Sequence, residues 1–310
     1  MTEMIFFLLG PTAVGKSEVA LRLAEEAGGA IVAMDSMQVY RGLDIGTGKP
    51  TAAERERVPH FGLDLVEPGE TFDTARYMAA IEGPMHAFDP ATPRFFVGGT
   101  GLYFRALTQG LSAAPPAPPE LRAELQKLSH QELRNRLETA DPGQLEVSGF
   151  DWSNPRRVQR ALEVVLATGK PLRLWHEADA TPAPFPLSQE RRAVLLLRER
   201  DDLRERIARR VNAMFAAGWV DETHRLLHIH GPAVLRDCPA IGYAEIAAWI
   251  GEGSSRLAFP AMRQVIVDKT RQYAKRQLTW FRREPKVLPL TIPASESPAA
   301  TAARVQALLS

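Results

Sequence analysis

Along this chain, short unbroken apolar runs alternate with longer stretches in which apolar positions recur three and four residues apart. The runs are Met4 to Leu9, Ala30 to Met34, Phe95 to Val97 and Ala193 to Leu197. They do not alternate apolar with polar residues, so they predict strands covered on both faces, with the helical stretches between them as the cover. The expected class is α/β, with a mostly parallel sheet. Two proline clusters interrupt the pattern, "SAAPPAPPEL" at 112–121 and "ATPAPFPL" at 180–187. Between them lie only helical spacings, such as Leu121, Leu125 and Leu128 and the segment Arg157 to Ala167. Strand-like "AVLLL" resumes afterwards. The simplest organisation is a discontinuous core of residues 1–112 and 188–310 with an inserted all-helical domain at 113–187, carried on stiff proline joints. A single longer domain with loops is the alternative.

After Ala193 the pattern is mainly helical. Leu203, Ile207, Val211, Met214 and Phe215 fall on one face of one segment. A second segment, Arg263 to Arg283, carries Arg263, Lys269, Arg271, Lys275, Arg276, Arg282 and Arg283 against Asp268 alone, with Tyr273, Trp280 and Phe281 interleaved. Basic residues with aromatics suit a nucleic-acid surface. A solvated basic face with its aromatics in the core is the plainer reading, favoured for the aromatics. The tail after Pro285 is poor in motifs.

Composition adds limits. With 310 residues, 45% hydrophobic and 24% charged, the chain suits an ordinary soluble protein with a sizeable core. A net charge of +1 means that any nucleic-acid affinity must come from local patches. One cysteine, Cys238, excludes an internal disulfide and a cysteine-cluster zinc site, and a reducing cytoplasm is the expected setting. The apolar run in "MTEMIFFLLG" is far shorter than the roughly 20 residues a spanning helix needs, so no membrane association is expected. No internal repeat is visible, and a monomer is the default expectation. His224 and His228 have a metal-capable i, i+4 spacing but no third ligand nearby.

The densest chemistry sits at "GPTAVGKS". Gly10, Pro11, Thr12, Ala13, Val14, Gly15, Lys16 and Ser17 fit G-x-x-x-x-G-K-[ST] between a predicted strand and helix, which gives the core a P-loop NTPase-like character. Backbone amides and the following helix N-terminus offer positive potential to phosphate oxygens. Lys16 adds a point charge, and the Ser17 hydroxyl is a candidate ligand for Mg²⁺ or phosphate. The motif fixes a phosphorylated ligand without saying that it is ATP. Asp35 follows the second strand, where ligands of open α/β sheets lie. On chemistry alone it is equally a cap, a magnesium ligand of the NTPase type, or an acid addressing an acceptor molecule. "DIGTGKP" neither follows a strand nor opens a helix, so it is weak as a phosphate loop. "VGGTG" repeats a strand-to-glycine-to-helix arrangement, with Thr100 offering a hydroxyl.

Together, "GPTAVGKS", "DSMQVYRGLDIGTGKP", "VGGTGLYFRAL", "NPRRVQRALEV", "PAIGYAEI" and "TRQYAKRQLTWFRR" resemble, in order and spacing, the motifs of bacterial tRNA dimethylallyltransferases, from about Phe6 to Arg283. With one cysteine, the C-terminal zinc finger of the eukaryotic members is not expected here. The resemblance implies transfer of a dimethylallyl group from dimethylallyl diphosphate to N6 of adenosine 37, just 3′ of the tRNA anticodon. In that reading the cradle binds a leaving diphosphate and transfers no phosphoryl group. Lys16, Ser17 with Mg²⁺, and Arg210 would hold the diphosphate, and Arg206 is either a helper or a solvated charge. Asp35 matches the family's general base, and Thr100 a position near the reacting centre. The tRNA anticodon stem-loop would meet Asp35, Ser36, Met37, Gln38 and Thr100. It would also meet Arg122, Arg156, Arg157, Val158, Gln159 and Arg160 of the insert, and Arg271, Lys275 and Arg276 of the basic helix. The rivals are a small-metabolite P-loop kinase, an isopentenyltransferase acting on AMP, and a non-catalytic RNA-binding protein. Gly101 stands where some relatives carry a bulkier residue.

Overall fold

The computed structural model describes residues 4–178, 182–188 and 192–309. Ala180 and Thr181, at the start of the second proline cluster, lie outside them. The described residues fall into two compact units: Met1–Thr108 with Phe185–Ser310, and Gln109–Pro184.

In chain order the first unit opens with β1 (Ile5–Leu9), α1 (Lys16–Ala27), β2 (Ala30–Met34), α2 (Ala52–Arg57), β3 (His60–Phe61), α3 (Thr74–His86), β4 (Arg94–Gly98) and α4 (Gly101–Gln109). The second unit contributes α5 (Pro119–Leu125), α6 (His130–Ala140), α7 (Pro155–Thr168) and α8 (Leu172–Ala178). The first unit resumes with β5 (Ala193–Leu197), α9 (Arg200–Ala216), α10 (Trp219–His230), α11 (Pro232–Arg236) and α12 (Tyr243–Gly251). It closes with α13 (Phe259–Phe281), β6 (Val287–Thr291) and α14 (Pro298–Leu309).

The strands form one sheet in the order β3-β2-β4-β1-β5-β6, and every pair is parallel. The unbroken apolar runs have the cause expected of them. Ile5, Phe7 and Leu9 join one buried cluster with Tyr77, Phe96 and Phe104, while Leu8 joins the opposite one with Val97, Val194 and Leu196. Each face of the sheet is therefore a core. Two strands had no visible signature. β3 is only two residues long, and β6 contains Pro289 and is largely exposed, as an edge strand tolerates.

In the second unit, Leu125, Leu133, Leu137, Val158, Ala161, Leu162 and Val165 make a separate core. Its helices start on strong local signals. Ser129 and Glu132 form a capping box at α6, and the Asn154 side chain accepts from the Arg156 and Arg157 amides with Pro155 in the first turn of α7.

Candidate active site

The carboxyl ends of β1, β2 and β4 open into a cavity of about 690 Å³ whose walls come from widely separated segments of the first unit. At its base is the turn from β1 into α1. Gly10 and Gly15 have φ of +151° and +111°, and a Cβ on Gly10 would lie 2.8 Å from the Leu196 carbonyl oxygen, so the turn needs glycine there. Ala13 also adopts a left-handed conformation, φ +65°.

What surrounds this turn is informative. Lys16 Nζ donates to the carbonyls of Gly10 (2.9 Å) and Pro11 (2.8 Å). Arg206 Nε donates to Ala13 O and Arg198 Nε to Val14 O, each at 2.9 Å. Four carbonyls of one six-residue loop thus accept from cationic side chains, which leaves the site with an excess of positive charge around its amides. Arg198 is itself paired with Asp202 at 2.8 Å. Arg206 is therefore built into the loop and is not a solvated charge. Burial pulls the Lys16 ammonium down to about 7, with Asp35 opposing and Arg210 reinforcing the shift. Burial likewise lowers the Arg210 guanidinium, again against Asp35.

The loop's remaining polar link comes from α13. The Thr12 amide donates to Gln277 Oε1 (2.9 Å), and Gln277 Nε2 donates to Gly99 O (3.0 Å), so one buried side chain joins the two glycine turns at the ends of β1 and β4.

Across the cavity stands Asp35 at the end of β2, with Oδ1 accepting from the Met37 amide at 2.8 Å. The Ser36 amide donates to Thr100 Oγ1 (3.1 Å), whose own amide donates to Met34 O (3.2 Å), so Thr100 is locked to the Asp35 segment. Tyr273, Arg276 and Gln277 of α13 and Arg206, Arg209 and Arg210 of α9 complete the wall. The segment 44–49 lies between. Gln38 Nε2 donates to Thr47 O (3.2 Å) and Gly48 O (3.1 Å), and Arg210 Nη2 to Thr47 O (3.5 Å). Lys49, its side chain 1% exposed, lines the cavity with its ammonium committed to Asp44 (2.7 Å), Asp64 (2.5 Å) and Tyr40 O (2.6 Å). "DIGTGKP" is thus a braced wall of the site and no second phosphate loop.

Of the residues expected to act, Thr12, Ala13, Gly15, Lys16, Ser17, Asp35, Ser36, Met37, Gln38, Arg210 and Arg276 line the cavity, and Thr100 is bonded to Ser36. Arg271 and Lys275 do not; Arg271 pairs with Asp268 (3.0 Å) and Lys275 is exposed. In the second unit, Arg156 and Arg157 are exposed. Val158 corrects the sequence expectation, because its side chain is fully buried in that unit's core and unavailable to an RNA. Gln159 donates to Glu163 (2.9 Å), Arg160 holds the carbonyls of Ala114 and Pro115, and Arg122 faces Glu163 at 3.7 Å.

Sequence reasoning missed Arg198, Arg209, Gln277 and the bracing role of Lys49. A lone glutamine or an arginine within a charged helix carries no spacing signal. It did favour core packing for the aromatics. Phe281 is buried, Trp280 lies under the Arg105 guanidinium and fills the space a Cβ on Gly101 would take, and Tyr273 faces the cavity. Among the described residues no group of three His, Cys, Asp or Glu side chains could hold a metal. No described helix is long and apolar enough to cross a membrane.

The chain matches two family descriptions, IPP transferase over residues 38–284 and isopentenyl transferase over residues 3–63. It is 42% identical over 284 residues to a tRNA dimethylallyltransferase of Geobacter metallireducens, covering 90% of this chain and 89% of that one. A tRNA isopentenylpyrophosphate transferase crystal structure from Bacillus halodurans superposes with a TM-score of 0.67 at 32% identity, covering 99% and 97% of the two chains. A eukaryotic dimethylallyltransferase solved acting on tRNA shares the fold, with a TM-score of 0.78 at 23% identity, covering 99% and 78%.

Proposed function

This chain belongs to the IPP transferase family, and from that premise we propose that it moves a dimethylallyl group from dimethylallyl diphosphate to N6 of adenosine 37 in tRNA, releasing diphosphate. The observation that carries the reading is the pairing of opposites across one cavity. A glycine turn ringed by Lys16, Arg198, Arg206 and Arg210 is suited to a polyanion, and the Asp35 carboxylate faces it.

An exocyclic adenine amine is a poor nucleophile because its lone pair is delocalised into the ring. As N6 bonds to the allylic carbon, the carbon-oxygen bond breaks and its electron pair goes to the diphosphate. Asp35 takes the N6 proton, the work of a general base. The Met37 amide at 2.8 Å fixes that carboxylate's orientation. Negative charge growing on the diphosphate is met by Lys16, Arg210 and the turn's amides, donors already oriented before the bond breaks. Ser17, exposed in the first turn of α1, is a hard oxygen donor that fits Mg²⁺. That ion usually binds through one or two protein oxygens plus phosphates, which suits a site where, among the described residues, no cage of three His, Cys, Asp or Glu side chains is found. When bound, the ion would neutralise charge on the diphosphate.

The acceptor base has to leave its stack to reach Asp35, as bases do for enzymes that act on them. Arg276 at the cavity wall and the exposed Arg156 and Arg157 of the second unit are the cations assigned to the anticodon stem-loop.

The test is transfer of label from radiolabelled dimethylallyl diphosphate to an anticodon stem-loop bearing adenosine at position 37. AMP and a guanosine-37 stem-loop run alongside. Label entering only the adenosine stem-loop, with a rate about 10²- to 10⁴-fold lower for Asp35→Asn, supports the reading. Label entering AMP instead, or an unaffected Asp35→Asn enzyme, refutes it.

A further inference from the structure

Helix α10 carries a buried carboxylate that the proposed reaction does not use. Glu222 is 3% exposed, and among the described residues it forms no ion pair. Its oxygens are taken instead by backbone and hydroxyl donors: the Ile45 amide (2.9 and 3.1 Å), the Gly46 amide (3.4 Å) and the Tyr243 hydroxyl (2.6 Å). The same Tyr243 hydroxyl accepts from the Gly46 amide at 3.1 Å. Trp219, fully buried, packs so closely on Gly46 that a Cβ there would collide with its indole ring. Burying an anion is costly unless its hydrogen bonds are complete. Here two of the three donors come from the loop of residues 44–49, at a point the braces from Gln38, Arg210 and Lys49 do not reach.

That loop is the segment whose next two residues face the cavity. Thr47 O accepts from Gln38 and Arg210, Gly48 O accepts from Gln38, and any side chain at Gly48 would strike the Arg210 guanidinium. A shift of residues 45–46 would move the surface against which Arg210 rests. We propose that Glu222, seconded by Tyr243, is a positioning residue for the leaving-group end of the site. It pins residues 45 and 46 so that 47 and 48 hold the Arg210 guanidinium toward the diphosphate. The inference rests on the reading of Arg210 as a diphosphate ligand.

The test is equilibrium binding of dimethylallyl diphosphate to the full chain, without tRNA, for wild type, Glu222→Gln, Tyr243→Phe, Arg210→Ala and Glu222→Gln with Arg210→Ala. Hydrogen bonds to a charged group of this kind correspond to roughly tenfold effects. Glu222→Gln and Tyr243→Phe are each expected to weaken binding about tenfold. Once Arg210 is gone, Glu222→Gln should add less than about twofold. In turnover, the KM for dimethylallyl diphosphate should rise while that for the stem-loop stays unchanged. A folded Glu222→Gln protein that binds like wild type overturns the proposal, as does a penalty equally large without Arg210. If Glu222→Gln does not fold, Tyr243→Phe with and without Arg210→Ala gives the same decision. Wild-type binding that Arg210→Ala leaves unchanged refutes the ligand role of Arg210, and this inference with it.

Discussion

Lys16 offers a sharp quantitative test, because its ammonium is the one cation of the cradle that titrates near neutrality. Burial lowers it to about 7, from the 10.5 of a free lysine. A bound diphosphate would favour the charged form, so above pH 7 binding has to be accompanied by proton uptake. The protonated fraction falls about tenfold per pH unit above the pKa. Affinity for dimethylallyl diphosphate should therefore fall about tenfold between pH 8 and 9, and uptake at pH 8 should approach about 0.9 proton per ligand. Phosphate esters finish ionising around pH 6 to 7, so the ligand's own charge is constant in that window. Of the other perturbed groups on the cavity wall, burial lowers His60 from an already lower value and raises Tyr273 far above the window. The Arg206 and Arg210 guanidiniums, also lowered by burial, stay common to wild type and Lys16→Gln and so cancel in the comparison. The assay is titration calorimetry in buffers of different ionisation enthalpy. Lys16→Gln should bind weakly with a flat profile. A flat wild-type profile, or an equal slope in Lys16→Gln, would refute the reasoning. The same shift has a consequence for folding. Between about 7 and 10.5 the unfolded chain holds a proton that the folded chain has released, so this group makes stability rise with pH across that window.

Three further outcomes follow from the packing. Gln277→Leu strands the Thr12 amide and the Gly99 carbonyl, and chemical denaturation should show a loss of about 1–3 kcal/mol together with weaker diphosphate binding. Lys49→Met removes a buried ammonium from two half-exposed carboxylates, which should cost about 1–3 kcal/mol at pH 7. Burial acts to raise Asp64, but Lys49 and Arg55 outweigh it and hold the carboxyl below its usual value. The stability this gives is present above the unfolded pKa near 3.8 and is lost as pH falls through the lower folded one, so acid titration should show a shallower loss in Lys49→Met. Leu137→Ala opens a cavity in the second unit's core and should lower its stability by about 2–5 kcal/mol, while affinity for dimethylallyl diphosphate changes less than about twofold.

The features legible in the sequence were those that are contiguous in it. Gly10 to Ser17 needs its residues side by side, because one turn makes the whole cradle. The central strands announced themselves because both faces are buried, which removes the alternation that Leu8 and Phe7 would otherwise show. Helix α13, Phe259–Phe281, was visible as the basic segment Arg263 to Arg283, without its first turn. What was hidden depends on tertiary contact. Arg198, just past β5, and Arg206, within the charged helix α9, carry no spacing signal until the fold brings them under the Val14 and Ala13 carbonyls. Glu222 looks like an ordinary acid in the first turn of a helix, a place where acids are common for reasons of dipole alone. Val158 erred in the other direction. It sits inside a basic stretch, yet it occupies the buried stripe of α7 just after the exposed Arg156 and Arg157.

The link from Thr12 to Gln277 spans 265 residues of chain. During synthesis the cradle sequence leaves the ribosome long before the partner of its Thr12 amide. At about 5–20 residues per second the interval is on the order of tens of seconds. The phosphate site should therefore be among the last parts of the first unit to become competent. A nascent or prematurely ended chain could carry a complete glycine motif and a formed β1 while remaining unable to hold the donor. Ligand affinity in this protein should report that the helix carrying Gln277 has been made, well after the motif itself.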